Sequence, residues 1–242
     1  MKMREAGRVV AQALGEVERW VRPGVSTEDL DFIIRDFVLA RQGELLFYRY
    51  NGFPAHSCIS INEEVVHGIP SKKRKLREGD IVSIDVGVRL EGFCSDSAKT
   101  MPVGEIGEDA RHLLSVCSQS LDEGIAAARP GARVSDISRA IQTFVESRGY
   151  SVVRQFVGHG IGRKMHEKPQ VPNYVDAGFL KDDLVLKPGL VLAIEPMVNA
   201  GTADVVTLKD KWTVVTQDRK LSAHFEHTVA VTEEGPLVLT LM

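Results

Sequence analysis

The chain has 242 residues, a formal net charge of −3, and 43% hydrophobic and 26% charged residues. That suits one large domain or two small ones, in a globular enzyme rather than a protein built to wrap nucleic acid. Three cysteines, Cys58, Cys94 and Cys117, form no metal-binding or redox motif, and their odd count argues against a disulfide framework. No apolar run approaches the ~18 residues of a membrane span and no signal-peptide core is visible, so a reducing cytoplasm is the expected setting.

Residues from about Arg4 to Trp20 fit an amphipathic helix with Val9, Val10, Ala13, Leu14 and Val17 on one face. Val21-Arg22-Pro23-Gly24 stops it. Ser26 or Thr27 then caps a second helix, with Glu28 and Asp29 in its first turn and Leu30, Ile33, Ile34 and Phe37 as its core stripe. Tyr50 to Pro70 reads as short strands and turns, and Ser71-Lys72-Lys73-Arg74-Lys75 as a solvated basic loop.

A hairpin follows. Gly79 to Val88 is apolar and β-branched like a buried strand, with Asp85 in its middle, and Gly92 to Ala98 carries Asp96. A lone buried carboxylate costs several kcal/mol, so Asp85 needs a partner. With the turn centred between Leu90 and Glu91, Asp85 and Asp96 face each other with Cβ atoms about 5 Å apart. Such an arrangement requires a cation between them. The alternative puts Asp96 in a turn and Asp85 against an arginine, and the hairpin alone leaves both open.

From about Asp109 to Ala128 the helical period returns, Arg129-Pro130-Gly131 breaks it, and another helix runs from about Ser135 to Arg148. Arg22-Pro23-Gly24, Asp29, Ile34, Phe37-Val38 and Arg41 recur at one constant spacing as Arg129-Pro130-Gly131, Asp136, Ile141, Phe144-Val145 and Arg148. Leu76 to Asp85 is echoed at nearly the same spacing by Leu186 to Glu195, acid on acid. A duplicated unit of two helices followed by acid-bearing strands is expected, in one domain with a site between two related halves.

The second half adds Gly158-His159-Gly160-Ile161-Gly162, then His166-Glu167. Glu195 lies in an apolar strand, Leu190 to Val198, interrupted only by Pro196. Glu226 lies in a strand from His224 to Val231, preceded in a hairpin by Trp212 to Val215 and the Gln217–Lys220 turn. Asp85, Asp96, Glu195, Glu226 and His159 would give four carboxylates and one imidazole, too anionic for one ordinary divalent ion and matched to two. Paired ions ~3.5–4 Å apart share and acidify a water. Oxygen-rich ligation with one nitrogen suits Mn(II), Fe(II), Co(II) or Zn(II). His67, alone in an apolar segment, reads as structural on its setting, whereas His166 is better placed to line a site. His112, His224 and His227 read as structural or exposed, and His56 is undecided. The glycines around His159 lack a dinucleotide or phosphate fingerprint.

These residues resemble the type I methionine aminopeptidases over essentially the whole chain. The matching stretches are Cys58 to Glu63, His67-Gly68-Ile69-Pro70, Ser83 to Gly87, Gly158 to Gly162, His166-Glu167, Ile194-Glu195-Pro196-Met197 and Phe225-Glu226-His227-Thr228. The resemblance implies an α+β "pita-bread" fold, with two related αβ halves and antiparallel sheet around a dinuclear metal site. The chain is then one catalytic domain over 1–242 with halves of about 1–105 and 106–242. It implies Asp85, Asp96, His159, Glu195 and Glu226 as ligands, Asp96 and Glu226 bridging both ions, and His67 and His166 as substrate-contacting histidines. Tyr50, Phe53, Cys58, Met165 and Trp212 would line the pocket for a methionine side chain. Members often carry an aromatic immediately before the second histidine, from which Met165 departs.

The short interval between His166 and Glu195 argues against type II enzymes, and the early position of Asp85 against prolidase-like relatives with a long N-terminal domain. The chain reads as a bare catalytic domain of bacterial type. The implied activity is removal of N-terminal methionine from nascent chains when the second residue is small, through a metal-bridging hydroxide. Glu195 would act as proton shuttle, His166 would stabilise the oxyanion and His67 would sit near the leaving nitrogen. The competing readings are an Xaa-Pro dipeptidase and a non-catalytic nascent-chain or ribosome-binding module. The expected partners are nascent polypeptides and, weakly, ribosomal RNA at Lys72–Lys75, with no DNA or membrane partner, for a monomer.

Overall fold

The structure is a computed structural model and describes residues 2–242. Two helices come first, α1 (Lys2–Glu18) and α2 (Thr27–Leu39). Strands β1 (Glu44–Leu45), β2 (Cys58–Ile61), β3 (Glu64–Val66), β4 (Ile81–Leu90) and β5 (Phe93–Pro102) follow. The second half begins with α3 (Glu108–Ala127) and α4 (Val134–Glu146). It continues with β6 (Ser151–Val152), β7 (Gly158–Gly160), β8 (Glu167–Val171), β9 (Val191–Ile194), β10 (Met197–Asn199) and β11 (Val205–Thr207). It ends with β12 (Val214–Thr216), β13 (Ser222–His224), β14 (His227–Thr232) and β15 (Gly235–Val238). Among the described residues no helix is long and apolar enough to cross a membrane.

Ser26 rather than Thr27 starts α2. Its Oγ accepts the Asp29 N–H at 3.1 Å, and the Asp29 carboxylate accepts the Ser26 N–H at 3.2 Å, a reciprocal capping box. Helices α1 and α2 pack on one face of the sheet containing β1, β4, β2 and β5. Side chains of a strand alternate between faces, so Val82, Ile84, Val86 and Val88 of β4 point into that helix-covered core. Burying each contributes about 1.5–3 kcal/mol. The same alternation aims Asp85 the other way. In the second half Leu192 and Ile194 of β9 enter the core beneath α3 and α4, and alternation turns Glu195 away from it.

The two halves are built alike down to their hydrogen bonds. The Gly24 N–H donates to Leu76 O at 2.8 Å, and the Gly131 N–H to Leu186 O at 2.9 Å. The return bonds, Leu76 N–H to Val25 O and Leu186 N–H to Ala132 O, are 2.9 and 2.7 Å long. Both glycines are left-handed, at φ +90° and +84°, a backbone conformation that glycine adopts without a Cβ penalty.

Three expectations need correction. First, the hairpin turn lies one residue later than expected, at Glu91-Gly92, with φ of 48° and 80°. Positive φ at both central residues is the type I′ geometry, and glycine favours it there. The ladder therefore pairs Asp85 with Ala98 and Gly87 with Asp96. The aspartates are diagonal rather than directly opposed, on the same face. Second, β12 forms no hairpin with the strands around Glu226. It pairs with β11 and, through Val214 and Val66, with β3, because the Val205-Val206 run upstream supplies its antiparallel neighbour.

Third, the strands expected around Glu195 and Glu226 are each broken at the acid. β9 ends at Ile194 and β10 starts at Met197, in a different sheet; β13 ends at His224 and β14 starts at His227. Pro196 has no N–H to give the ladder. One register nonetheless runs through both pairings, from His227 opposite Ile194 to His224 opposite Met197. It sets Glu195 level with Glu226.

Candidate active site

The acids arrive from both halves because β5 meets β14. The Asp96 N–H donates to Thr228 Oγ1 at 2.9 Å, and that hydroxyl donates to Asp96 O at 2.7 Å. Two residues along, the Glu226 N–H donates to Ala98 O at 2.9 Å, and Ser97 Oγ donates to Glu226 O at 2.5 Å. β7 pairs with β9, His159 against Ala193, which sets His159 beside Glu195; its Nε2 lies 3.6 Å from Glu195 Oε1. Glycine is required on either side of His159. A Cβ on Gly158 would lie 2.3 Å from Ala193 O, and one on Gly160 would lie 2.2 Å from Lys168 O.

All the residues singled out in the sequence line one cavity of about 310 Å³: Asp85, Asp96, His159, Glu195 and Glu226, His67 and His166, and Tyr50, Phe53, Cys58, Met165 and Trp212. Among the described residues that line it there is no lysine or arginine. Asp85 Oδ1, Asp96 Oδ1 and Glu226 Oε1 are buried without a hydrogen-bond partner among the described residues. Burial and mutual repulsion push the Asp85, Glu195 and Glu226 carboxyls well above the ordinary range, and burial brings Asp96 to about 6. Left to themselves, these groups hold protons or repel.

A divalent cation fits these buried oxygens. Donor atoms of Asp96, His159 and Glu226 all lie within 4.8 Å of one another. The remaining two acids border that group. Asp85 feels the charge of Asp96 directly, and Glu195 adjoins His159. His159 Nδ1 lies 2.9 Å from Gly160 O, a contact that assigns the proton to Nδ1 and leaves the Nε2 lone pair facing the cavity, as a ligating imidazole requires. Burial lowers the His159 pKa to about 4, helped by the adjacent His166, so the ring is neutral at neutral pH.

The cavity walls divide by chemistry. His166 lies edge-on to His159 with centroids 4.3 Å apart, and its Nδ1 is 2.6 Å from Tyr50 Oη. Phe53 and Trp212 meet edge to face at 5.1 Å, beside buried Cys58 and Met165. His67 adopts φ 60° and abuts Phe156 and Trp212. Its neighbour Gly68 runs so close to β2 that a Cβ there would lie 2.2 Å from Ile59 O. The Lys72–Lys75 loop is less uniform than expected. Lys72, Lys73 and Lys75 are exposed, whereas Arg74 reaches inward to Glu64 and to Ile69 O at 3.0 Å.

Several lining residues escaped the sequence reading, among them Phe47, Phe156 and His224. His224, read as structural or exposed, is 2% exposed and borders the cavity. A signal was available: it precedes Glu226 by two residues, and alternate residues of an extended segment face the same way.

Comparison with known proteins agrees with this geometry. The model of metallopeptidase family M24 matches residues 1–233. Methionine aminopeptidase 1 of Bacillus subtilis is 52% identical over 238 residues, spanning 98% of this chain and 94% of that protein. The crystal structure of methionine aminopeptidase from Thermotoga maritima matches with a TM-score of 0.96 at 44% identity, covering 100% of this chain and 96% of that one. The Rickettsia prowazekii enzyme matches at 0.95 and 42%, covering 99% and 96%. The chain belongs to metallopeptidase family M24, and within it to the type I methionine aminopeptidases.

Proposed function

We propose that this protein is a metalloaminopeptidase that removes the N-terminal methionine of nascent proteins and peptides when the second residue is small. The observation that carries the reading is the set of partnerless carboxylate oxygens at Asp85, Asp96 and Glu226, buried beside an apolar, sulfur- and aromatic-lined pocket. Divalent metal use is common to the family. Two ions of the Co, Mn, Fe or Zn class would be held by Asp85, Asp96, His159, Glu195 and Glu226. When bound, they supply Lewis acidity and an acidified water at neutral pH.

The chain's own groups do the rest. Phe53, Cys58, Met165, Trp212 and Tyr50 hold the methionine side chain, polarisable sulfur against aromatic rings. The acids that flank the cavity draw in the free α-amine. Glu195 takes the proton of the attacking water and returns it to the leaving amine. His166 hydrogen-bonds the scissile carbonyl oxygen as it gains charge, and His67 sits beside the departing nitrogen. One catalytic domain divides into halves of about 1–105 and 106–242, and the site lies where they meet.

The test is hydrolysis of Met-Ala-Ser and Met-Lys-Ser peptides by the metal-loaded protein. Cleavage of the first, little of the second, and loss on chelation are expected; equal rates on both would defeat the small-residue restriction. We place the protein in the cytoplasm beside nascent chains, where Lys72, Lys73 and Lys75 would touch ribosomal RNA. Ribosome pelleting unchanged by neutralising those lysines would dismiss that contact.

A further inference from the structure

His224 has no part in the mechanism above, yet its place beside Glu195 is specific. Its ring is 2% exposed, and its Nε2 is buried with no hydrogen-bond partner among the described residues. The nearest carboxylate atom is Glu195 Oε2, at 3.7 Å. Glu195 is thus bracketed, Oε1 by His159 and Oε2 by His224. The two imidazoles differ in what they offer. His159 presents a lone pair, because its Nδ1 proton goes to Gly160 O. The carboxylate's other oxygen, Oε2, faces His224 Nε2 instead.

The backbone on both sides is pinned. Thr100 Oγ1 accepts the His224 N–H and donates to His224 O, each at 2.8 Å, and Ser83 Oγ lies 2.8 Å from Thr100 Oγ1. Across the gap, Asn173 Nδ2 donates to Glu195 O at 3.0 Å. With both main chains held, the free variable is rotation of the Glu195 carboxyl. A donor a few tenths of an ångström beyond hydrogen-bond reach is the usual state of such contacts before substrate closes them.

We propose that His224 is a positioning residue: its Nε2–H fixes Glu195 Oε2, so that Oε1 alone faces the His159 side of the site and the carboxylate stands ready to exchange a proton with the attacking water. This rests on the aminopeptidase reading and extends it to a residue outside the ligand set. Partners that orient a ligating or catalytic carboxylate typically account for 10–100-fold in activity or metal affinity.

The test compares three substitutions in the metal-loaded full chain on Met-Ala-Ser. His224→Phe keeps the ring's bulk and loses the donor; His224→Gln keeps an N–H at similar reach; His224→Asn keeps an amide one methylene too short. His224→Phe and His224→Asn are expected to lower kcat by about 10–100-fold with KM within about twofold, His224→Gln to recover to within about fivefold of wild type, and Co(II) stoichiometry and visible absorption to stay unchanged. Should His224→Phe fail to fold, the contrast of Gln with Asn carries the same information. Wild-type kcat in the Phe or Asn variant, an equal fall in Gln and Asn, or a rise in KM alone would overturn the proposal. Loss of a Co(II) ion in His224→Phe would make the imidazole a ligand and overturn it equally. Inactive wild type would sink the aminopeptidase reading itself; active wild type with an unimpaired Phe variant would sink only this one.

Discussion

His159 and His166 stand edge to face, ring centroids 4.3 Å apart, yet the contacts at their two Nδ1 atoms run in opposite senses. His159 Nδ1 faces a carbonyl and so carries the proton, exposing a bare Nε2. His166 Nδ1 faces the Tyr50 hydroxyl at 2.6 Å. If Nδ1 carried the His166 proton, a bare Nε2 would add another lone pair to a cavity already crowded with carboxylates. The Tyr50 O–H therefore donates, Nε2 keeps its hydrogen, and His166 presents a donor where His159 presents an acceptor. Neighbouring imidazoles are thereby sorted into one suited to a cation and one suited to a developing oxyanion.

Tyr50→Phe removes the hydroxyl that sets the His166 tautomer and leaves the ring. We expect kcat on Met-Ala-Ser to fall by about tenfold, with KM little changed, since the phenyl wall remains. Tyr50 is 38% exposed, so stability by urea denaturation should move by no more than about 0.5 kcal/mol. A rise in KM without a change in kcat would reassign Tyr50 to the pocket wall alone.

The glycine before His159 makes a second test. Alanine at 158 would press its Cβ to 2.3 Å from Ala193 O and 3.1 Å from Val171 O, so β7 would have to leave β9, carrying His159 away from Glu195. Gly158→Ala should cost about 1–3 kcal/mol of stability, as overpacking does, and should weaken Mn(II) binding in a calorimetric titration. Gly131→Ala is the control. It strains a left-handed residue by about 1–2 kcal/mol but has open space around it, and metal binding should not change.

Much of this was legible because it is local. Helix stops, a cap at Ser26 or Thr27 and the repeated Pro-Gly turns are written in a few adjacent residues, and the repetition of Leu76–Asp85 in Leu186–Glu195 puts the acids at matching places in the two halves. The hairpin register was misread because the turn's position depends on which residues take positive φ, and Glu91 gives weaker notice of that than Gly92. Of the two neighbours of β12, β11 lies just upstream, whereas β3 is reached through Val214 and Val66 across most of the chain, a contact no local pattern encodes. His224 was overlooked for a different reason. Taken singly it is one more apolar-flanked histidine, whereas alternation from Glu226 turns it into the cavity.

Asp96→Asn tests whether the carboxylates gather for a cation. It should abolish activity and lower the bound-ion count in metal analysis, because Asp96 sits in a group whose donor atoms converge. The metal-free variant should be more stable than metal-free wild type, on the order of 1 kcal/mol, since one member of a self-repelling buried cluster is gone. Removing a residue that served only packing or hydrogen bonding would have the opposite sign, so thermal unfolding in chelator separates the two explanations.

The same cluster gives stability an unusual dependence on pH. Asp96 moves from its ordinary 3.8 to about 6 on folding, so the folded chain binds the extra proton. Its contribution is fully present below about 3.8 and is lost as pH rises through about 6. Asp85, Glu195 and Glu226 shift in the same direction. Buried His67 and His159 work the other way: each falls from 6.5 to about 4, so their contribution is present above 6.5 and is lost as pH falls toward 4. Divalent ions bind only the deprotonated acids and the neutral imidazole, so ions and protons compete for one site. The gain in Tm on saturating the chelator-treated protein with Mn(II) should therefore grow steadily between about pH 5 and pH 8. Scanning calorimetry of the two forms across that range measures it. A gain that stays level or shrinks as pH rises would mean that the ions bind somewhere other than among these carboxylates.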